Sequence, residues 1–360
     1  MEIVVNGRFL TQTITGVQRY SRELLQAIDA ILDTRPDLKI TVISPRLSQP
    51  PPKWRNIILR QAGHLQGHAW EQLELPRLAR GQLLFCPGNT APLASLFGSQ
   101  RVVVTVHDLS YLYFPDAYSR AFRLWYGIVI PTVLRRATAI ITVSESERSA
   151  IAARYPAAAV RLHAIPNGGL PVGLLSPANN RKNSKRNYVL YVGSLSKRKN
   201  FQGVLKTAYR LARKRCCNFV FVGGRAGGIL ESDLAIPNDV RSHITFAGQI
   251  DNDTALIEFY RHAVCLLFPS FYESSGLPPI EAMACGCPVI ASDIPALKER
   301  CGNAALYCNP ADIDSITEAV ERVMDDSVLR SSLVELGYQR AANYTWQHSG
   351  VQTLKVICNS

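Results

Sequence analysis

Two glutamates, Glu273 and Glu281, stand eight residues apart in YESSGLPPIEAMACGCPVIAS, residues 272–292. The stretch follows VCLLFPS, a short apolar run of strand type. Pro278 and Pro279 suit the first positions of a helix, where a missing N–H costs little, and Gly286 suits its end. The spacing therefore predicts a loop running into a helix, with the backbone N–H groups of Ser275, Gly276 and Leu277 left free. Such groups receive an anion or sugar hydroxyls. Glu281 falls in the first helical turn, where a carboxylate is also favoured for purely structural reasons. Glu273 lies ahead of the helix, so the helix dipole does not account for it. A second loop, Leu195-Ser-Lys-Arg-Lys-Asn200, puts three consecutive cations at the mouth of the strand candidate YVLYVGS. Cations placed there neutralise a diphosphate, the alternative being a solvated charge run.

Other polar residues end apolar runs in the first half. Gly16, in NGRFLTQTITGVQRY, permits close approach of backbone to a ligand. His107-Asp108 ends RVVVTV, where a histidine serves either a structural hydrogen bond or chemistry; Ser144 and Asn167 end two further runs. FVGGRAGG, 221–228, lacks the spacing of the dinucleotide fingerprint. Asp251-Asn-Asp253 and Asp312-Ile-Asp314 each precede an amphipathic segment, so helix capping explains them better than a metal–diphosphate site. Nine cysteines, odd in number and without zinc-ribbon or thioredoxin spacing, read as reduced thiols, and no metal is expected.

The elements that must position these loops follow from periodicity. EIVV, LKITVIS, LLFC, RVVVTV, AIITV and VRLHAI form one series of strand candidates, and YVLYVGS, FVFVGG, HITFAG, VCLLFPS, PVIAS and AALYC a second. Val17, Tyr20, Leu24, Ile28 and Ile31 fall on one helical stripe between the first two. Short Val/Ile runs alternating with amphipathic segments predict two doubly wound α/β domains, facing each other across a cleft. The expected layout is a first domain over 1–172, a polar linker over 173–187, a second domain over 188–345 and a closing helix, 346–360, returning to the first. Ligands of such sheets sit beyond the carboxyl ends of the strands, where the loops above lie.

Length, 360 residues, suits two such cores. The amino terminus has no signal-peptide pattern and no run is long enough to span a membrane, which predicts a cytoplasmic protein. The net charge of +12 is uneven: residues 1–170 carry 19 Lys and Arg against 11 Asp and Glu, 181–186 add four positives, and 187–360 balance at 17 against 17. A basic first half attracts nucleic acid, anionic lipid or phosphorylated substrates. No nucleic-acid motif accompanies the charge. The segment YSRAFRLWYGIVIPTVLRR, 118–136, reads either as a buried helix or as a basic, aromatic surface that docks on an anionic membrane.

Taken together and in order, VNGRFLTQTITGVQRY, HDLSYLYFP, TVSESE, IPNGG, VGSLSKRKN and the E-x7-E of Glu273 and Glu281 resemble the retaining GT-B glycosyltransferases of family 4, over nearly the whole chain. The start is most similar to members that build surface-polysaccharide or O-antigen repeat units on polyprenyl diphosphate, several of them mannosyltransferases. The resemblance implies that Glu281 holds the nucleotide ribose. It implies that Glu273, with the backbone of Ser274, Ser275, Gly276 and Leu277, holds the donor hexose. Arg198 and Lys199 would hold the diphosphate, His107 would stand near the transferred sugar and acceptor, and Gly16 would let the first loop close over the phosphates. Catalytic roles fall to His107, Glu273 and Lys199. One departure is Gly193-Ser194, where many relatives have Gly-Arg, so the phosphate charge rests more on Arg198 and Lys199. The implied partners are a nucleotide sugar, GDP-mannose first, and an oligosaccharide or lipid-linked acceptor, with peripheral contact at the inner membrane face and no cofactor. A sugar-nucleotide epimerase and a non-catalytic nucleotide-sugar-binding protein are the competing readings.

Overall fold

The computed structural model describes residues 1–170, 188–224, 236–250 and 252–360. The expected linker, the second half of the 221–228 glycine stretch and Asp251 lie outside the described residues. The chain divides into two compact units, 1–168 with 346–360, and 169–345.

In the first unit, strands β1 (Glu2–Asn6), β2 (Lys39–Ser44), β3 (Ile58–Gln61), β4 (Leu83–Cys86), β5 (Val102–Thr105), β6 (Ala139–Thr142) and β7 (Leu162–Ala164) form one parallel sheet in the order β3-β2-β1-β4-β5-β6-β7. Its helices are α1 (Gly16–Ile31), α2 (Gly67–Leu73), α3 (Leu75–Leu78), α4 (Leu93–Phe97), α5 (Ser110–Tyr113), α6 (Arg120–Arg136) and α7 (Glu145–Arg154). Central strands such as LLFC and AIIT are buried at every position, as a sheet covered on both faces requires. The α1 stripe buries Tyr20, Leu24, Ile28 and Ile31, while Val17 at its start is only half-buried.

In the second unit, β8 (Tyr188–Val192), β9 (Asn218–Val222), β10 (Ile244–Gly248), β11 (Ala263–Phe268), β12 (Val289–Ser292) and β13 (Ala305–Cys308) form a parallel sheet ordered β10-β9-β8-β11-β12-β13. Its helices are α8 (Phe201–Arg215), α9 (Asp253–His262), α10 (Leu277–Ala284), α11 (Pro295–Cys301), α12 (Ile313–Asp325) and α13 (Ser327–Ala342). Helix α14 (Trp346–Asn359) groups with the first unit, where it packs on α1 and Ser349 Oγ donates to the Pro166 carbonyl at 2.7 Å.

Each strand candidate of the sequence is a strand, and β3 is one more. β3 escaped notice because ILRQ is short, polar at its end and largely exposed at the sheet edge, so no apolar alternation marks it. Capping accounts for the acidic pairs with one change. Asp312 caps α12 by accepting from the Asp314 N–H at 2.9 Å, but α9 is capped by Asn252, which accepts from Thr254 and Ala255, and Asp253 is the first helical residue. Gly223 is required by the backbone, since its φ is +145° and a Cβ there would lie 2.0 Å from the Gly193 carbonyl oxygen. Any side chain would push apart the loops that leave β8 and β9. Among the described residues no helix is long and apolar enough to cross a membrane.

Candidate functional site

Strand order reverses between β8 and β11 in the second unit and between β1 and β4 in the first. Loops leaving neighbouring strands diverge at such points and open a crevice at their carboxyl ends.

At the β8/β11 crevice the cationic loop and the glutamate loop meet. The Phe271 N–H donates to the Arg198 carbonyl at 3.0 Å, and Arg198 Nη1 donates to the Tyr272 carbonyl at 3.2 Å. Lys199 Nζ donates to Glu273 Oε1 and sits 4.8 Å from the centre of the Phe268 ring, while Arg198 lies 3.9 Å from Glu273 Oε2. Lys197 is exposed and outside this cluster. Glu273 is only 8% exposed; burial alone would raise its pKa, and the charges of Lys199 and Arg198 overcome burial and lower it. The carboxylate is therefore ionised, with two cations beside it.

Next to it, the N–H groups of Ser274, Ser275, Gly276 and Leu277 donate to no group among the described residues, and Ser275 Oγ is buried without a partner. Gly276 makes this possible. It enters α10 with φ +73°, and a Cβ there would meet Leu297 Cδ2 at 2.7 Å. The helix begins at Leu277, one residue before the proline pair, which puts Glu281 at its fifth position and not in the first turn. The helix dipole therefore does not explain Glu281. Glu281 is 1% exposed, and its Oε2 accepts from the Tyr260 hydroxyl at 2.9 Å. The buried Arg300 guanidinium feels its charge: burial lowers the Arg300 pKa to about 10, and Tyr344, Cys301 and Glu281 oppose the shift.

In the first unit the loop after β5 carries His107, which is buried. Its Nε2 lies 2.8 Å from the Pro87 carbonyl, and its backbone N–H donates to Asn89 Oδ1 at 2.7 Å. A carbonyl only accepts, so the ring proton is on Nε2 and Nδ1 carries the lone pair. Burial lowers its pKa, against the Pro87 contact and Asp108, so the ring is neutral at pH 7. Tyr20 of α1 meets it edge-on with ring centres 4.6 Å apart. Gly16 opens α1, and a Cβ there would meet nothing within 4 Å, so packing does not demand a glycine. Of the other rim residues, Ser144 caps α7 by accepting from the Glu147 N–H, which is a structural role, and Asn167 is buried with Oδ1 unpartnered among the described residues. No group of three or more metal-binding side chains occurs among the described residues.

One set of residues passed unnoticed in the sequence. Glu71 of α2 is buried at the β1/β4 crevice, where its Oε1 accepts from Asn6 Nδ2 at 2.7 Å and from Arg8 Nε at 3.3 Å. Thr90 Oγ1 lies 2.8 Å from Oε2, and His68 Nδ1 lies 3.0 Å from the same oxygen. Except for His68, its partners Asn6, Arg8 and Thr90 lie 65, 63 and 19 positions away, and no spacing could have announced them.

Both halves of the chain are similar to known proteins. The family profile "Glycosyltransferase Family 4" matches residues 14–168, and "Glycosyl transferases group 1" matches 175–340. The O-antigen chain mannosyltransferase RfbU of Salmonella typhimurium is 29% identical over 63% of this chain, and the chain spans 62% of the length of that relative. The O-antigen chain mannosyltransferase B of Escherichia coli is 29% identical over 71% of this chain and 69% of its own. The fold is similar to that of sucrose-phosphate synthase from Thermosynechococcus elongatus, with a TM-score of 0.77 at 21% identity over 99% of this chain and 98% of that one. With both halves matched by glycosyltransferase profiles and two parallel sheets of this order, the chain belongs to the glycosyltransferases of GT-B fold.

Proposed function

We propose that the protein is a retaining glycosyltransferase that moves a hexose, with mannose from GDP-mannose the first candidate, onto a glycan or polyprenyl-diphosphate-linked acceptor of surface-polysaccharide assembly. The observation that carries this reading is the run of four N–H groups, Ser274 to Leu277, that donate to no group among the described residues, beside the cations Lys199 and Arg198. The second unit takes the nucleotide sugar and the first unit the acceptor. The O-antigen mannosyltransferases among the relatives support the choice of sugar.

The chemistry follows. When the anomeric carbon–oxygen bond breaks, its electron pair goes to the leaving diphosphate oxygen and positive charge is left on the sugar. Arg198, Lys199 and the loop N–H groups are fixed in place to stabilise that oxygen. The acceptor hydroxyl bonds to the anomeric carbon on the face the diphosphate leaves, and its proton passes to the departing phosphate oxygen, which retains configuration. Glu273, tethered to Lys199, fixes that cation and accepts from hexose hydroxyls. His107 accepts from a sugar hydroxyl through Nδ1, and bare Gly16 leaves room for ligand at the start of α1. Glu281 accepts from the ribose hydroxyls.

The test is a nucleotide-sugar screen that measures nucleoside diphosphate release, run with lipid-linked acceptor extracts. GDP-mannose is expected to turn over fastest. Glu281→Gln keeps the volume and the Tyr260 neighbour but loses the charged acceptor, so the donor KM should rise about 10- to 100-fold, the worth of one or two hydrogen bonds to a charged group. A Glu281→Gln enzyme with wild-type donor KM would remove the ribose assignment.

Segment 118–136 contains helix α6, which is buried along one side and carries exposed apolar and basic residues on another. Val129, Ile130, Val133 and Leu134 of α6 are core, whereas Leu124 and Ile128 are 70% and 50% exposed and share a helical stripe with Arg120 and Arg135. Phe97 of the neighbouring α4 is 60% exposed beneath the Arg136 guanidinium, at 4.5 Å. Exposed apolar side chains among arginines favour an anionic lipid surface, where an inner-leaflet acceptor would be met. The protein should sediment with phosphatidylglycerol vesicles at low salt and be released by high salt. Failure to sediment at either salt concentration removes this contact from the proposal.

A further inference from the structure

The β1/β4 crevice of the first unit holds a site to which neither the sequence nor the relatives assign a role. The buried Glu71 carboxylate can only accept, so the His68 ring turns its Nδ1–H toward Oε2, 3.0 Å away. With that proton on Nδ1, the neutral ring has its lone pair on Nε2, to which no protein group among the described residues bonds. Trp125 Nε1 lies 3.2 Å from the same Nδ1, but a nitrogen whose proton points at Glu71 has no lone pair to offer the indole. The indole N–H is thus left without an acceptor. His68 is 36% exposed in its side chain and Trp125 is half-buried, so both are within reach of solvent. Arg8 and Glu71 cancel each other's charge, so this pair makes no anion trap.

The same short loop serves this site and His107. Pro87 and Asn89 hold His107, and Thr90 donates to Glu71 and accepts from Arg8 Nη2 at 3.1 Å. Around His68 stand Trp125 and Tyr126, edge-on at 5.4 and 6.4 Å between ring centres, and Phe122 stacks on Tyr126 at 3.9 Å. A hydrogen-bond acceptor and donor side by side, next to aromatic rings, match the hydroxyls and C–H face of a pyranose.

We propose that His68 and Trp125, with His68 positioned by Glu71, form a subsite for a neutral saccharide ring of the acceptor. Nε2 of His68 accepts from one ring hydroxyl and the Trp125 N–H donates to a neighbouring oxygen. This deepens the glycosyltransferase reading and rests on it for the word acceptor; binding of a saccharide ring at this place is tested independently of the donor.

The protein has four tryptophans, 54, 70, 125 and 346, so the indole N–H signals of the 15N-labelled protein resolve the site, with Trp125→Phe giving the assignment. The full chain is titrated with methyl glycosides of mannose, glucose, galactose and N-acetylglucosamine, each up to its solubility limit. At least one glycoside is expected to shift the Trp125 signal, and His68→Ala to weaken that binding by about tenfold, the worth of one hydrogen bond. Binding of GDP, followed by calorimetry on the same samples, should be unchanged in His68→Ala. The proposal is overturned if no glycoside moves the Trp125 signal, or if the shift survives His68→Ala at wild-type affinity. GDP failing to bind while the glycoside shift persists counts against the donor reading and upholds the subsite.

Discussion

Lys199→Ala is expected to lower kcat by about 10²- to 10³-fold, the usual cost of removing one fixed donor to a developing anion, and to raise the donor KM by much less. The asymmetry comes from when the charge appears. In the proposed donor complex the diphosphate charge would be shared among Arg198, Lys199 and the four loop N–H groups, so losing one partner would be partly covered by the others. As the sugar–oxygen bond breaks, a new negative charge collects on the leaving oxygen, and an interaction that strengthens only then acts on kcat. Lys199 is placed to meet that charge because Glu273 and the Phe268 ring fix its ammonium. Lys199→Arg should recover part of the rate, since charge matters more than shape for a single contact. The measurement is steady-state release of nucleoside diphosphate at saturating acceptor. A rise in KM at constant kcat would mean that Lys199 binds ground and transition states alike, and its catalytic role would be lost.

The same cluster shows how far the sequence reaches. The loops at 195–200 and 272–281 stand out because Val- and Leu-rich runs precede them and because cations, glycine and paired prolines are unusual at strand ends. What sequence cannot supply is the pairing across them: Lys199 and Glu273 are 74 positions apart, and only the β8/β11 pairing brings them together. Where the helix begins is a finer matter. Prolines tolerate several early positions, and the left-handed turn at Gly276 starts α10 at Leu277, which moves Glu281 into the second turn. Asn252 took the capping place because its neutral side chain caps as well as aspartate does.

His68 and Glu71 were illegible for a different reason. Three residues apart on a seven-residue helix, they look like any solvated face, and Gly67 and Leu73 beside them give no apolar stripe. Their meaning comes from Asn6, Arg8 and Thr90, on loops that converge only because β1 and β4 are neighbours. Strand identity follows local composition; strand adjacency does not, and the crevice chemistry depends on adjacency.

That crevice should also govern the acid stability of the first unit. Burial alone would raise the Glu71 pKa, but the charge of Arg8 and the hydrogen bonds of His68 and Thr90 bring it down from 4.5 to about 2. A carboxylate whose pKa is depressed by folding stabilises the native state above its unfolded pKa. That contribution drains away as pH falls through 4.5 toward 2, and amounts to roughly 3 kcal/mol when complete. Glu71→Ala at pH 7 removes more than this linkage: Arg8 is left buried without its anion, and Asn6 and Thr90 lose their acceptor. A loss of about 3–5 kcal/mol is expected, as for other buried pairs broken on one side. Replacing Arg8 and Glu71 together by Met and Leu should cost less than Glu71→Ala alone, because no uncompensated charge remains. Urea unfolding followed by circular dichroism at pH 7 and pH 3 separates these terms. Wild type should lose stability between the two pH values by more than Glu71→Gln does, since the amide has no proton to gain. Equal acid sensitivity in the two proteins would show that Glu71 is not the titrating group, and that its buried hydrogen bonds hold the loop without help from its charge.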